Sequence, residues 1–66
     1  MKIILNGESA EIRDGSTVGE LLEGLRIGRE RVAVEVGLAI VPKKDYDLHC
    51  LREGDKVEIV QFVGGG

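Results

Sequence analysis

Residues 60–66 read Val-Gln-Phe-Val-Gly-Gly-Gly. An apolar run stops, and three glycines lead to a terminal carboxylate. No turn accounts for three glycines with nothing after them. A glycine has no Cβ, so its backbone passes where any other residue would collide. Gly64, Gly65 and Gly66 span about 10 Å when extended. That is enough to thread a narrow channel and present the Gly66 carboxylate to another protein's active site. The bland alternatives are a frayed end or an expression scar. A scar is disfavoured because the glycines follow the last strand-like run with no tag-like residues between. A carboxylate is a poor electrophile at neutral pH, so chemistry on it needs prior activation, commonly as an acyl-adenylate. The sequence has neither a P-loop nor a Gly-x-Gly-x-x-Gly. The ATP chemistry would therefore belong to a partner, and the chain needs no cofactor of its own.

Other reactive side chains give weaker signals. Cys50 is the single cysteine, so no intramolecular disulfide can form. A free cysteine is most often a small buried apolar residue, and Cys50 is expected to be one. His49 precedes it, but neighbours on an extended chain point opposite ways, and no third orienting group is evident. One Cys and one His are too few for a zinc site. Asp45, Asp47, Glu53 and Asp55 lack the glycine-centred spacing of a calcium loop and read as a solvated surface. Glu20 and Glu23 read as a helix cap and an exposed helix face.

The remaining chemistry must come from a surface, and composition limits which kind. The chain has 66 residues, one domain's worth, with a formal net charge of −3. A chain of this size buries only about 60% of its unfolded surface, with no room for a lidded cavity. Its nine Lys and Arg are scattered among twelve acids, and aromatics are confined to Tyr46 and Phe62. Nucleic-acid binding wants a basic stripe and stacking aromatics, so it is not expected. No apolar run approaches the roughly 20 residues that cross a bilayer. No signal peptide is visible after Met1-Lys2, so a cytoplasmic location is expected.

Residues 2–6 form a short apolar run, and Asn6-Gly7 signals a tight hairpin into a second strand over 9–13. Asp14-Gly15 breaks that strand. Thr17 and Glu20 fit a capping box. Val18, Leu21, Leu22 and Leu25 then repeat at helical spacing, with Gly28 reading as the stop or the loop after it. Gly19 and Gly24 each weaken the helix by about 1 kcal/mol relative to alanine. Residues 31–36 alternate as a half-buried strand. A turn at Gly37-Leu38-Ala39 leads to a short strand that Pro42 halts or marks as a sheet edge. Residues 43–56 are polar and loop-like, with Leu48, Cys50 and Leu51 as expected core anchors. Residues 56–63 are the last and best strand.

The order β-β-α-β-β-β predicts an α+β domain over residues 1–63, with a flexible tail over 64–66. One helix must close one face of a mixed sheet of four to five strands. With the first and last strands as parallel central neighbours, this is the β-grasp fold of ubiquitin-like domains. In the last strand Val57 and Ile59 point one way, and Val60 and Phe62 the other. If Val57 and Ile59 meet the helix, Val60, Phe62 and Ile4 form an apolar partner surface on the open face, beside Val63 at the tail. A second possibility, equally weighted, is that loop 43–52 folds over them.

At this point the chain resembles the ThiS family, the small β-grasp sulfur carriers of thiamine biosynthesis. The matching stretches are STVGELLEGL (16–25), VAVEV (32–36), IVPKKDY (40–46), LREGDKVEIV (51–60) and FVGGG (62–66), which together span most of the chain. The resemblance implies that an E1-like enzyme of the ThiF type adenylates the Gly66 carboxylate. A persulfide-bearing sulfur donor then converts it to a thiocarboxylate. Thiazole synthase, of the ThiG type, takes up the sulfur. Gly64 and Gly65 would line the narrow entry to both partner sites, and the carrier would be a co-substrate rather than an enzyme. Two departures stand out: Gly37-Leu38-Ala39 where the family often has Asn or Asn-Gly, and Tyr46 at a common Trp position. A diglycine end is also shared with molybdopterin and cysteine-forming carriers and with ubiquitin-like modifiers. The missing prolines before the tail count against the molybdopterin class, and the missing Arg before Gly-Gly counts against a modifier. A plain interaction module with a frayed end is the remaining alternative.

Overall fold

Strands β1 (Lys2–Leu5) and β2 (Glu8–Glu11) form an antiparallel hairpin closed by Asn6 and Gly7. Both turn residues have positive φ, 49° and 84°, which matches the twist that two-residue hairpins require. Helix α1 (Val18–Gly24) opens on the expected capping box. The Glu20 amide donates to Thr17 Oγ1 at 3.1 Å, and the Thr17 amide donates to Glu20 Oε1 at 2.9 Å. Strands β3 (Val32–Val36), β4 (Ala39–Val41) and β5 (Lys56–Gln61) follow, with short 3-10 turns at Arg29–Arg31 and Lys43–Asp45. This computed structural model describes residues 1–62; Val63, Gly64, Gly65 and Gly66, and with them the expected 1–63/64–66 boundary, lie outside the described residues.

The sheet order is β2-β1-β5-β3-β4. β5 runs parallel to β1 and antiparallel to β3, so first and last strands are neighbours at the centre. One helix covers one face of this five-stranded mixed sheet, which is the β-grasp arrangement. The core is built by strand alternation and the helix stripe: Ile3, Val32, Val34, Val41, Val57 and Ile59 from the sheet meet Val18, Leu21 and Leu22. Burying each such side chain contributes about 1.5–3 kcal/mol.

Several expectations need correction. The helix ends at Gly24, so Gly28 lies in the loop after it, the second of its two expected readings. Leu25 is its C-cap, Arg26 takes φ 59°, and the Ile27 amide donates to the Leu22 carbonyl at 3.0 Å. This is a Schellman end with arginine where glycine is usual. Leu25 is consequently turned out of the stripe and is 42% exposed.

Loop 43–52 does not cover the open sheet face. It packs on the start of α1: the Val18 amide donates to His49 O at 3.0 Å and the Gly19 amide to Tyr46 O at 2.8 Å, while the Leu51 amide donates to Ser16 O at 2.8 Å. First-turn helix amides have no partner within the helix, and loop carbonyls supply one. Docked there, the loop buries Tyr46 and Leu51 in the core and leaves Leu48 exposed. Cys50 is also exposed, contrary to its expected burial, because its backbone bridges to Thr17 at the surface. Finally, β5 ends at Gln61 rather than 63, although the Phe62 amide still donates to Arg31 O at 2.8 Å.

Candidate functional site

With Val57 and Ile59 committed to the helix side, the alternate residues of β5 line the opposite face. Val60 is 56% exposed and Phe62 55%. Val60 sits directly across from Ala33 of β3, and Phe62 lies one same-face step further along, where the chain leaves the sheet. These three residues form an apolar end to the open face. Ile4 shares the face but pairs with Lys56, two same-face steps earlier, roughly 13 Å along the strand from Val60. The expected cluster of Ile4, Val60 and Phe62 is therefore split.

The row between them is acidic. Glu58 faces Glu35 across the β5–β3 pair, and Glu35 faces Ile40 on β4. Like charges directly opposite are unfavourable, so a cationic group placed against this row would relieve it. Around Ile4 the face dips into a concavity of about 270 Å³, lined with Gly37, Leu38, Lys56, Glu35 and Glu58. Leu38 is 92% exposed and holds φ 74°, a conformation that bulky residues rarely adopt. Sequence reasoning missed Leu38, Ile40, Glu35 and Glu58. The available signal was register: a two-residue Gly37-Leu38 turn sets Ala39 against Val36, and so Ile40 against Glu35 on the open face.

The shifted titrating groups sit in other pairs. Arg29 grips Asp47 through two hydrogen bonds, at 2.9 and 3.0 Å, and these hold the Asp47 carboxyl below the usual carboxylate range. The Met1 ammonium donates to Asp14 Oδ1 at 2.8 Å and to Ile12 O at 2.7 Å. The Asp14 contact raises the amine and lowers the carboxyl. Burial pushes the Tyr46 phenol up. Among the described residues, no three of His, Cys, Asp and Glu gather as metal ligands, and no helix is long and apolar enough to cross a membrane. What the described residues offer is an open sheet face with an exposed apolar end at Val60 and Phe62.

The ThiS family model matches residues 3–66. The chain belongs to the ThiS family. Over 66 residues it is 32% identical to the sulfur carrier protein ThiS of Escherichia coli, with all of both chains covered. It is 46% identical to a thiazole synthase of Paramagnetospirillum magneticum, covering all of this chain and 20% of that protein. A thiazole synthase of Magnetococcus marinus gives the same identity and coverage. The chain thus spans about a fifth of the length of these two thiazole synthases. The crystal structure of ThiS from Geobacter metallireducens superposes with a TM-score of 0.85 at 30% identity, covering 100% of both chains.

Proposed function

We propose that the chain is a sulfur carrier of thiamine biosynthesis, a co-substrate acting through the Gly66 carboxylate. The observation that carries this is its full-length likeness to the Escherichia coli sulfur carrier, with the triglycine aligned within the family match. An E1-like adenylating partner of the ThiF type binds the open face around Val60, Phe62 and Ile4, with Val63 at the tail. Gly64 and Gly65 thread its entry. The Gly66 carboxylate attacks the α-phosphorus of ATP, and pyrophosphate leaves. A donor persulfide attacks the acyl carbon, and AMP leaves. A second thiol then cleaves the acyl disulfide, leaving the thiocarboxylate on Gly66 and a disulfide on the donor side. Thiazole synthase is the acceptor, supported by relatives of that name that contain a domain like this one. The chain supplies the docking face and the carboxylate; the partners supply the catalysis.

The test is intact-protein mass spectrometry after incubation with an E1-like enzyme, ATP and sulfide, which attacks the acyl-adenylate directly. A mass gain equal to one oxygen exchanged for sulfur, mapped to Gly66, is the expected result. Deleting Gly66, or appending one uncleaved residue after it, abolishes the gain while thermal stability stays nearly unchanged. Loading that survived the appended residue would end the carrier reading.

A further inference from the structure

β1 supports β5 over a short stretch only. Their register covers Ile4 with Lys56 and Leu5 with Val57, after which β1 turns away at Asn6-Gly7 into β2. β5 continues for four more residues to Gln61. The Asn6 amide donates to Val57 O at 2.8 Å. The Asn6 side chain then takes the place of the next β1 residue. Its Oδ1 accepts from the Ile59 amide at 2.8 Å, and its Nδ2 donates to Ile59 O at 3.3 Å. Both bonds cross 53 positions of sequence. Past Ile59 the ladder we see is on the β3 side, ending at the Phe62–Arg31 bond. Among the described residues, Asn6 is therefore the last tie on the β1 edge of the strand that carries Val60 and Phe62.

Asparagine suits this place for two reasons. Its φ of 49° is tolerated by Asn better than by most side chains. Its amide has both an acceptor and a donor, as a peptide group has, so it mimics the missing strand residue.

We infer that Asn6 is a positioning residue, which holds β5 at Ile59 and so sets the direction in which the chain leaves the sheet toward Gly66. The inference rests on the carrier reading for its functional consequence. Delivery of a carboxylate to an in-line position is sensitive to small misplacements, and Asn6 is not one of the residues, Val60, Phe62, Ile4 and Val63, on which docking is proposed to rest. Loss of the clamp therefore acts on turnover within the complex more than on docking.

The experiment compares the parent chain with Asn6→Gly and Asn6→Asp. Glycine keeps the positive-φ turn and removes the clamp; aspartate keeps the Oδ1 acceptor and loses the donor. ATP–pyrophosphate exchange by the E1-like enzyme is measured against carrier concentration, alongside thermal unfolding and amide hydrogen exchange at Ile59. Asn6→Gly is expected to lower kcat by about tenfold or more, as misplaced reacting groups do. Its KM stays within about twofold, unfolding remains cooperative, and Asn6→Asp recovers part of the loss. An unchanged kcat for Asn6→Gly, with the Ile59 amide newly exchanging, would overturn the inference. If the parent chain itself is not activated, the carrier reading fails instead. Exchange then decides: an Ile59 amide protected in the parent and open in a folded Asn6→Gly upholds Asn6 as the orienting tie, and equal exchange in both overturns it.

Discussion

Phe62 is half exposed at the end of the open face, and that single fact separates its two possible roles. A core phenylalanine would cost about 3–5 kcal/mol on truncation. A surface position away from special features changes stability by about 0.5 kcal/mol or less. Phe62→Asp is therefore expected to leave the urea midpoint nearly in place while weakening binding to the E1-like partner by about tenfold or more, as loss of an aromatic anchor does. Isothermal titration and urea unfolding on the same sample decide it; equal loss of both would return Phe62 to the core. The face that Val60 and Phe62 share was legible from parity, because Val57 and Ile59 occupy the helix side, but their exposure was not, since loop 43–52 could equally have covered them. The distance between them and Ile4 was not. It depends on where β1 stops pairing with β5, a matter of register rather than pattern.

Helix α1 shows how an element can be legible at one end and hidden at the other. Its start is local: Thr17 and Glu20 satisfy each other's amides without help from the rest of the fold. Its end depends on Arg26 entering the left-handed region, which no glycine announces. Arg26→Gly is expected to stabilise the protein by about 1 kcal/mol, the order of the left-handed penalty for a residue with a Cβ. An unchanged or lower melting temperature would show that the arginine side chain compensates for its own backbone.

The two helical glycines also part company. A Cβ at Gly24 would meet open space, whereas one at Gly19 would meet Asp47 Oδ1, with Arg29 Nη2 at 2.8 Å. Gly24→Ala should stabilise by about 0.5–1 kcal/mol. Gly19→Ala should gain less, because it displaces the Arg29–Asp47 fork, and the gap between the two should narrow in an Asp47→Ala background. A gap of the same size there would mean that the fork is not what constrains Gly19.

On the scale of the whole molecule, the ion pairs and the buried phenol set the pH range of stability. Asp14 and Asp47 are held below their usual range, so their contribution is present above about pH 4 and is lost as pH falls through their folded values. The Met1 ammonium is raised by Asp14. Its contribution is complete below about pH 8 and is lost as pH rises through its raised value. Tyr46 is raised by burial, so the fold favours the neutral phenol, and stability falls further once pH passes about 10. Urea midpoints should form a plateau between about pH 4 and 8 and decline on either side. Asp14→Asn with Asp47→Asn should flatten the acid limb; an acid limb of unchanged slope would assign it to other carboxylates.

The order of elements along the chain was legible because apolar periodicity switches cleanly between two and 3.6, and the central pairing of the first and last strands came from the β-grasp arrangement that this order suggests. The placement of residues 43–52 was not. Their apolar content is sparse, and what fixes them is a set of carbonyls reaching the amides of Val18 and Gly19, a long-range demand that leaves no pattern in the loop itself. Cys50 was misjudged for the same reason: residue type favoured burial, but the bridge to Thr17 placed it outside.

The Asn6–Gly7 turn also bears on how the protein ages. An asparagine followed by glycine is prone to close on itself: the glycine nitrogen attacks the side-chain carbonyl carbon, ammonia leaves, and water then opens the ring to aspartate or its isomer. Both polar atoms of the Asn6 side chain are held by Ile59, so closure must await an opening of that part of the sheet. Each molecule that has lost its Asn6 ammonia therefore carries a lasting chemical record of an earlier opening.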